Sequence, residues 1–154
     1  MKGEFYWELN RKLEALLEGE TNWLANMANT AALLFNELDK INWVGFYLLD
    51  QDELVLGPFQ GKPACVRIPL GKGVCGTAAL NRDILVVSDV NDFPGHIACD
   101  PVSRSEIVLP ILNDSVLIGV LDIDSPILRR FTGEDSEGLA VIVETLVNNS
   151  DWER

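Results

Sequence analysis

Hydrophobic spacing along the chain changes period twice. From Phe5 to Leu17 the apolar residues Phe5, Leu9, Leu13, Leu16 and Leu17 recur at helical intervals until Gly19 interrupts them, which predicts a short amphipathic helix. A second stripe starts after Thr21 and carries Leu24, Met27, Ala28, Ala31, Leu34, Phe35 and Leu38 as far as Asp39-Lys40. The period then drops to that of a strand. Ile41 to Leu49 is rich in aromatic and branched residues, Asp50-Gln51-Asp52 turns the chain, and Glu53 to Gln60 returns as a partner strand. A turn-rich stretch over residues 57–104 holds short strand patterns at Val66 to Leu70 and Ile84 to Val87. It also holds a short helix from Val74 to Asn81, entered through Gly71-Lys72-Gly73, and a loop from Asp89 to Arg104.

Two further strands follow, Glu106 to Leu112 and Val116 to Asp124, separated by Asn113-Asp114-Ser115. The last helix opens at Thr132, with Asp135 three residues on as a form of capping box, and turns Leu139, Ile142, Val143, Leu146 and Val147 inward. Strand blocks bracketed by helices predict an α+β fold, its antiparallel sheet covered by helices on one face and by the loop-rich middle on the other. The expected organisation is one domain over 1–154: helices within 1–38, sheet and loops within 41–124, and a final helix over 132–150.

Composition narrows the partners. Twenty-four acidic residues against 12 basic ones give a formal net charge of -12, which repels phosphate backbones and anionic lipid headgroups. Nucleic acid and membrane are therefore not expected as partners. No apolar run approaches the roughly 18–20 residues of a membrane span, so the chain reads as cytoplasmic. Its three cysteines, Cys65, Cys75 and Cys99, cannot all pair within one chain. In a reducing compartment a disulfide between any two would belong to a catalytic cycle.

Strand alternation sharpens the last hairpin. With Leu117, Gly119, Leu121 and Ile123 toward the helices, Val120, Asp122 and Asp124 share the opposite face. A three-residue loop would pair Leu112 with Val116 and set Glu106 directly opposite Asp122, whereas a two-residue loop would break that pairing. Like charges so placed cost up to about 1 kcal/mol even when exposed. A cation should meet them: Arg67, Arg104 or a ligand ammonium. A solvated sheet face is the plainer alternative. In the first strand, Trp43, Gly45 and Tyr47 share a face, and a glycine between two aromatics leaves a notch that either walls a small pocket or serves core packing.

Gly71 to Thr77 lacks the lysine that a phosphate loop needs directly after its last glycine. What remains is a glycine-entered helix start whose backbone N–H groups suit a carboxylate. Cys65, Cys75, His96 and Cys99 are ligand types for tetrahedral zinc, but only His96 and Cys99 have close ligand spacing, so no metal is expected. His96 is also near enough in sequence to lower the pKa of Cys99.

Several segments together resemble one family. They are Asn42-Trp43-Val44-Gly45-Phe46-Tyr47, Gly73-Val74-Cys75-Gly76, Asp89-Val90, Phe93 to Asp100, Ser103 to Pro110 and Gly119-Val120-Leu121-Asp122-Ile123-Asp124. They look like the free methionine-(R)-sulfoxide reductases, which are built on a GAF domain. The resemblance implies reduction of free L-methionine-(R)-sulfoxide, with protection against oxidative stress. It makes Cys99 the nucleophile, Cys65 the resolving thiol and Cys75 an alternative resolving or relay thiol. Trp43, Tyr47, Glu106, Asp122 and Asp124 fall on its substrate-pocket positions. It further implies no bound cofactor, a thioredoxin-type dithiol as reductant and a homodimer. The competing expectation is a non-catalytic GAF module that binds a small molecule and signals.

Overall fold

The computed structural model describes residues 2–96 and 99–153, so Ile97 and Ala98 of the segment before Cys99 lie outside the described residues. Two helices, α1 (Lys2–Leu17) and α2 (Trp23–Glu37), precede a hairpin of β1 (Trp43–Asp50) and β2 (Glu53–Gly61). Then come β3 (Arg67–Pro69), α3 (Gly73–Asn81), β4 (Leu85–Val87), a single 3-10 turn at Val90–Asp92, β5 (Ser105–Asn113), β6 (Val116–Ser125) and α4 (Gly133–Asn148). The six strands form one sheet in the order β3-β2-β1-β6-β5-β4, with every neighbouring pair antiparallel. This is the α+β arrangement the sequence predicts.

The sheet separates two apolar clusters. On one face Val44, Phe46, Ile107, Leu109, Ile111, Ile118, Leu121 and Ile123 meet α1, α2 and α4. On the other, Trp43, Tyr47, Val108, Leu117 and Val120 meet α3 and the flanking loops through Val74, Cys75, Ala78, Ala79 and Val90. The helical stripes run differently from expectation. In α1 the buried residues are Tyr6, Leu9, Leu13 and Leu17, while Phe5 and Leu16 are exposed. Tyr6 takes the inward place because its hydroxyl donates to buried Asp135, 2.7 Å away. In α2 the buried face includes polar Asn26 and Thr30, whereas Leu24, Ala28 and Phe35 are exposed. Asn26 donates to the Glu20 and Asn149 carbonyls and to Ser150 Oγ, so its burial leaves no donor unpaired.

The β5–β6 register also departs from the three-residue loop. Asn113 pairs with Val116 around the two-residue turn Asp114-Ser115, with Asp114 in the left-handed region at φ 55°. A register shift then leaves Ile118 as an extra residue between Leu117 and Gly119. The bulge moves Leu117 onto the pocket face and Ile118 onto the helical face. It also restores the parity that a two-residue turn alone would have inverted. Glu106 therefore still shares a face with the two aspartates but pairs with Asp124, while Asp122 lies opposite Val108. Gly119 permits this path because any Cβ there would collide with the Tyr47 carbonyl oxygen.

Candidate functional site

A cavity of about 50 Å³ lies between the sheet, α3 and the segment following β4. Its lining comes from many parts of the chain: Trp43 and Tyr47 from β1, Glu106 from β5, Asp122 and Asp124 from β6, Gly73 to Cys75 from α3, and His96, Cys99, Asp100 and Ser103 from the loop. Cys65 is joined to Cys99 by a disulfide that spans 34 residues, with the two Cα atoms 5.6 Å apart. Each cysteine, aromatic and acid to which the resemblance gives a role thus lies at the cavity or is bonded to a residue that does.

The aromatic pair shapes one wall. Trp43 stacks on Tyr47 and on Phe59, at centroid separations of 6.0 and 5.4 Å. The notch at Gly45 is filled by protein, since a Cβ there would strike Phe59 and come within 2.6 Å of the Trp43 indole. Glycine is needed at this point for packing, and the pocket contacts come from the two aromatics themselves. Their polar ends have a further task. The Trp43 indole N–H donates to the Lys62 carbonyl at 3.0 Å, and the Tyr47 hydroxyl donates to the Cys65 carbonyl at 2.8 Å. Together they hold the loop that carries Cys65 against the sheet.

Glu106 and Asp122 are buried on the floor, and half-buried Asp124 stands beside them. Neither arginine expected to neutralise them does so: Arg67 pairs with Glu53 at 2.5 Å on the sheet edge, and Arg104 is exposed. Among the described residues the nearest basic partner is His96, whose Nε2 lies 3.9 Å from Glu106 Oε1. Asp122 Oδ1 is enclosed and has no hydrogen-bond partner.

With no lysine or arginine ion pair among the described residues, burial pushes all three carboxyls above their ordinary range. For Glu106 and Asp124 the shift is large, because repulsion from Asp122 adds to burial. Asp122 rises less: burial raises it, while hydrogen bonds from Glu106 and Cys75 favour its ionised form. The neutral form is thus favoured at all three carboxyls, least at Asp122. Burial and the adjacent acids also push the Cys75 thiol up and keep the Tyr47 hydroxyl protonated. His96 is lowered by burial, opposed in part by Asp122.

Asn42 was visible in the sequence only as part of a motif. Its side-chain amide donates to Asp100 Oδ2 at 3.1 Å and to Ser103 Oγ at 3.0 Å, and its backbone N–H donates to the Asp124 carbonyl at 2.9 Å. Asp100 in turn accepts from the Val102 N–H at 2.9 Å. Asn42 thereby ties the residues after Cys99 to the strand that bears the aspartates. Lys72, at the mouth of α3, is a second lining residue that spacing alone did not single out.

Comparison with known proteins agrees with this architecture. The GAF-domain profile matches residues 13–148. The free methionine-R-sulfoxide reductase of Escherichia coli (strain K12) is 59% identical over 145 residues, which cover 94% of this chain and 88% of that protein. The structure of fRMsr of Staphylococcus aureus in complex with substrate superimposes with a TM-score of 0.90 at 55% identity, covering 94% of both chains. Free methionine-R-sulfoxide reductase from Neisseria meningitidis in complex with its substrate gives a TM-score of 0.92 at 47% identity, covering 97% of this chain and 90% of that one. The chain belongs to the free methionine-R-sulfoxide reductases, oxidoreductases built on a GAF domain.

Proposed function

We propose that this chain reduces free L-methionine-(R)-sulfoxide with Cys99 as nucleophile, Cys65 as resolving thiol and the floor carboxyls as amine ligand and proton source. The observation that carries the reading is the pairing of Cys65 with Cys99 above buried acids that have no lysine or arginine ion pair among the described residues. The Cys99 thiolate attacks the sulfoxide sulfur, and the oxygen accepts protons. Methionine departs while the oxygen remains on Cys99 as a sulfenic acid. The Cys65 thiol displaces that oxygen as water and forms the disulfide. A thioredoxin-type dithiol then restores both thiols and is itself oxidised. Cys75, buried and held protonated, is a slower alternative resolver.

Asp122, the most readily ionised of the three acids, receives the substrate ammonium together with Asp124, and Glu106, kept protonated by its surroundings, donates to the departing oxygen. The N-terminal turn of α3, Gly73 to Cys75, with Lys72 beside it, takes the substrate carboxylate. Trp43 and Tyr47 contact the methyl sulfoxide end. A peptide-bound sulfoxide would leave the acids unpaired and should react about 10⁴-fold more slowly. No helix among the described residues is long and apolar enough to cross a membrane, and the enzyme works in the cytoplasm. Exposed Phe5, Trp7, Leu24 and Phe35 on α1 and α2 offer a surface for a homodimer, which light scattering would test.

Anaerobic incubation of the reduced protein with the free (R)-sulfoxide should yield stoichiometric methionine with loss of the Cys65 and Cys99 thiols. Correctly folded protein that yields neither excludes the reading.

A further inference from the structure

Three metal-binding groups converge beneath the pocket. Cys75 Sγ and one carboxylate oxygen each from Glu106 and Asp122 lie within 4.8 Å of one another, all on buried residues. The Cys75 sulfur is 3.9 Å from Glu106 Oε2, and His96 Nε2 approaches the other oxygen of Glu106 at the same distance. Asp122 Oδ1 supplies an independent sign that something is to be received here, since the side chain is 5% exposed and this oxygen has no partner. The set is not the one its cysteine and histidine spacing first suggests, because Cys65 and Cys99 are engaged with each other.

Ligand chemistry selects the ion. Calcium takes about 6–8 oxygen donors, and magnesium demands near-ideal octahedral oxygen coordination, neither of which this group provides. One thiolate, two carboxylates and an imidazole suit tetrahedral zinc, with bonds of about 2.0–2.3 Å. Among Cys75, Glu106 and Asp122 a contraction of about 1 Å in the donor separations would reach those bonds, and His96, which approaches only Glu106, would have to swing inward to join them.

We propose that the reduced protein binds a zinc ion through Cys75, Glu106 and Asp122, with His96 completing the shell, and that zinc competes there with the substrate ammonium. The competition rests on the amine-binding role given to Asp122 above. No electrons move: zinc displaces the Cys75 thiol proton and the Glu106 carboxyl proton, and both pass to solvent. Zinc is then a reversible inhibitor of the reduced enzyme that leaves Cys65 and Cys99 untouched.

The test uses a Cys65→Ser/Cys99→Ser double variant, in which Cys75 is the only thiol. Cadmium, a spectroscopic substitute for zinc, should produce a saturable thiolate-to-metal charge-transfer band that zinc abolishes and L-methionine suppresses. Adding Asp122→Asn should weaken cadmium binding about 10-fold or more. No band from a variant with native circular dichroism overturns the proposal, as does a band whose midpoint Asp122→Asn leaves unchanged. Should the double variant misfold, steady-state assays of the wild type decide. Zinc should raise KM and leave kcat alone, whereas a fall in kcat at saturating sulfoxide would place the metal on the Cys65 and Cys99 thiols and refute the site. Failure of the catalytic reading is seen separately, as metal-free reduced protein that forms no methionine.

Discussion

The two faces of the sheet each bury carboxyl groups, and they treat them in opposite ways. On the helical face Asp135, 1% exposed, accepts from Lys2 Nζ at 2.5 Å, the Tyr6 hydroxyl at 2.7 Å and the Thr132 N–H at 2.8 Å, with Arg130 at 3.5 Å. Burial acts to raise its pKa, but these partners outweigh it and hold the carboxyl below its ordinary value. On the pocket face Glu106 and Asp122 are buried with no lysine or arginine ion pair among the described residues, and their pKa values move up. A charge that is fully matched ties α1 to α4. A charge left unmatched costs stability, and on the function proposed above it is the place that receives the substrate ammonium.

Catalysis should separate the faces most sharply. Cys99→Ser is expected to abolish even the first turnover, a loss of about 10³-fold or more, while Cys65→Ser spares single-turnover methionine formation and fails in recycling. Equal behaviour of the two variants in a rapid-quench assay would dissolve the division of roles. Asp122→Asn should lower kcat/KM by about 10²–10³-fold, the effect of removing a desolvated charge partner worth about 2–5 kcal/mol, yet leave Tm unchanged or higher. Asp135→Asn should do the reverse. Steady-state activity per folded molecule persists, but stability falls by about 2 kcal/mol once the partial exposure of Lys2 is allowed for, or about 4–8 °C in Tm. An Asp122 variant that loses stability and keeps activity would erase the distinction between the faces.

Asn42 bridges the two ideas, being a structural anchor on the pocket side. Its amide holds Asp100 and Ser103, so Asn42→Ala should let the segment after Cys99 drift and lower kcat about 10-fold while KM changes little. Asn42→Asp, which cannot donate to Asp100, should rescue nothing. An equal effect on KM and kcat would mean that Asn42 touches the substrate rather than the loop.

Much of the pocket face was legible because period-two alternation is rigid. Alternation alone puts Trp43, Gly45 and Tyr47 on one side of β1 and, separately, Asp122 and Asp124 on one side of β6; the two strands pair, and Trp43, Tyr47 and both aspartates line one cavity. Pairing with Glu106 was placed two residues off because turn length and bulge act together, and neither Asp114 nor Ile118 announces a bulge. Helical stripes were less legible. Hydrophobicity alone preferred Phe5 to Tyr6 and passed over Asn26 and Thr30, whose burial depends on partners distant in sequence: Asp135 for Tyr6, and the Asn149–Ser150 segment for Asn26. The missing cation was unreadable for the same reason, since Arg67 has its own acid, Glu53, across the β2–β3 pairing.

The smallest effect is a difference in pH dependence. A carboxyl whose folded pKa is raised makes the folded state bind more protons than the unfolded chain. The stability it contributes is full below the unfolded value, 4.5 for Glu106, and is lost as pH rises through the folded value. Asp135, lowered in the folded state, gives the opposite slope: its contribution is present above its unfolded value of 3.8 and is lost as pH falls through the folded one. Glu106→Gln cannot ionise, so it should raise Tm at neutral pH by about 2–4 °C, for a relieved cost of about 1 kcal/mol in keeping the buried carboxyl neutral. Below the ordinary carboxylate range it should bring no gain. Methionine should stabilise the wild type more than Asp122→Asn, because the ligand ammonium meets the charge that Asp122 carries. A pH-independent gain from Glu106→Gln would mean that Glu106 is simply ill-packed, and the contrast with Asp135 would then owe nothing to charge.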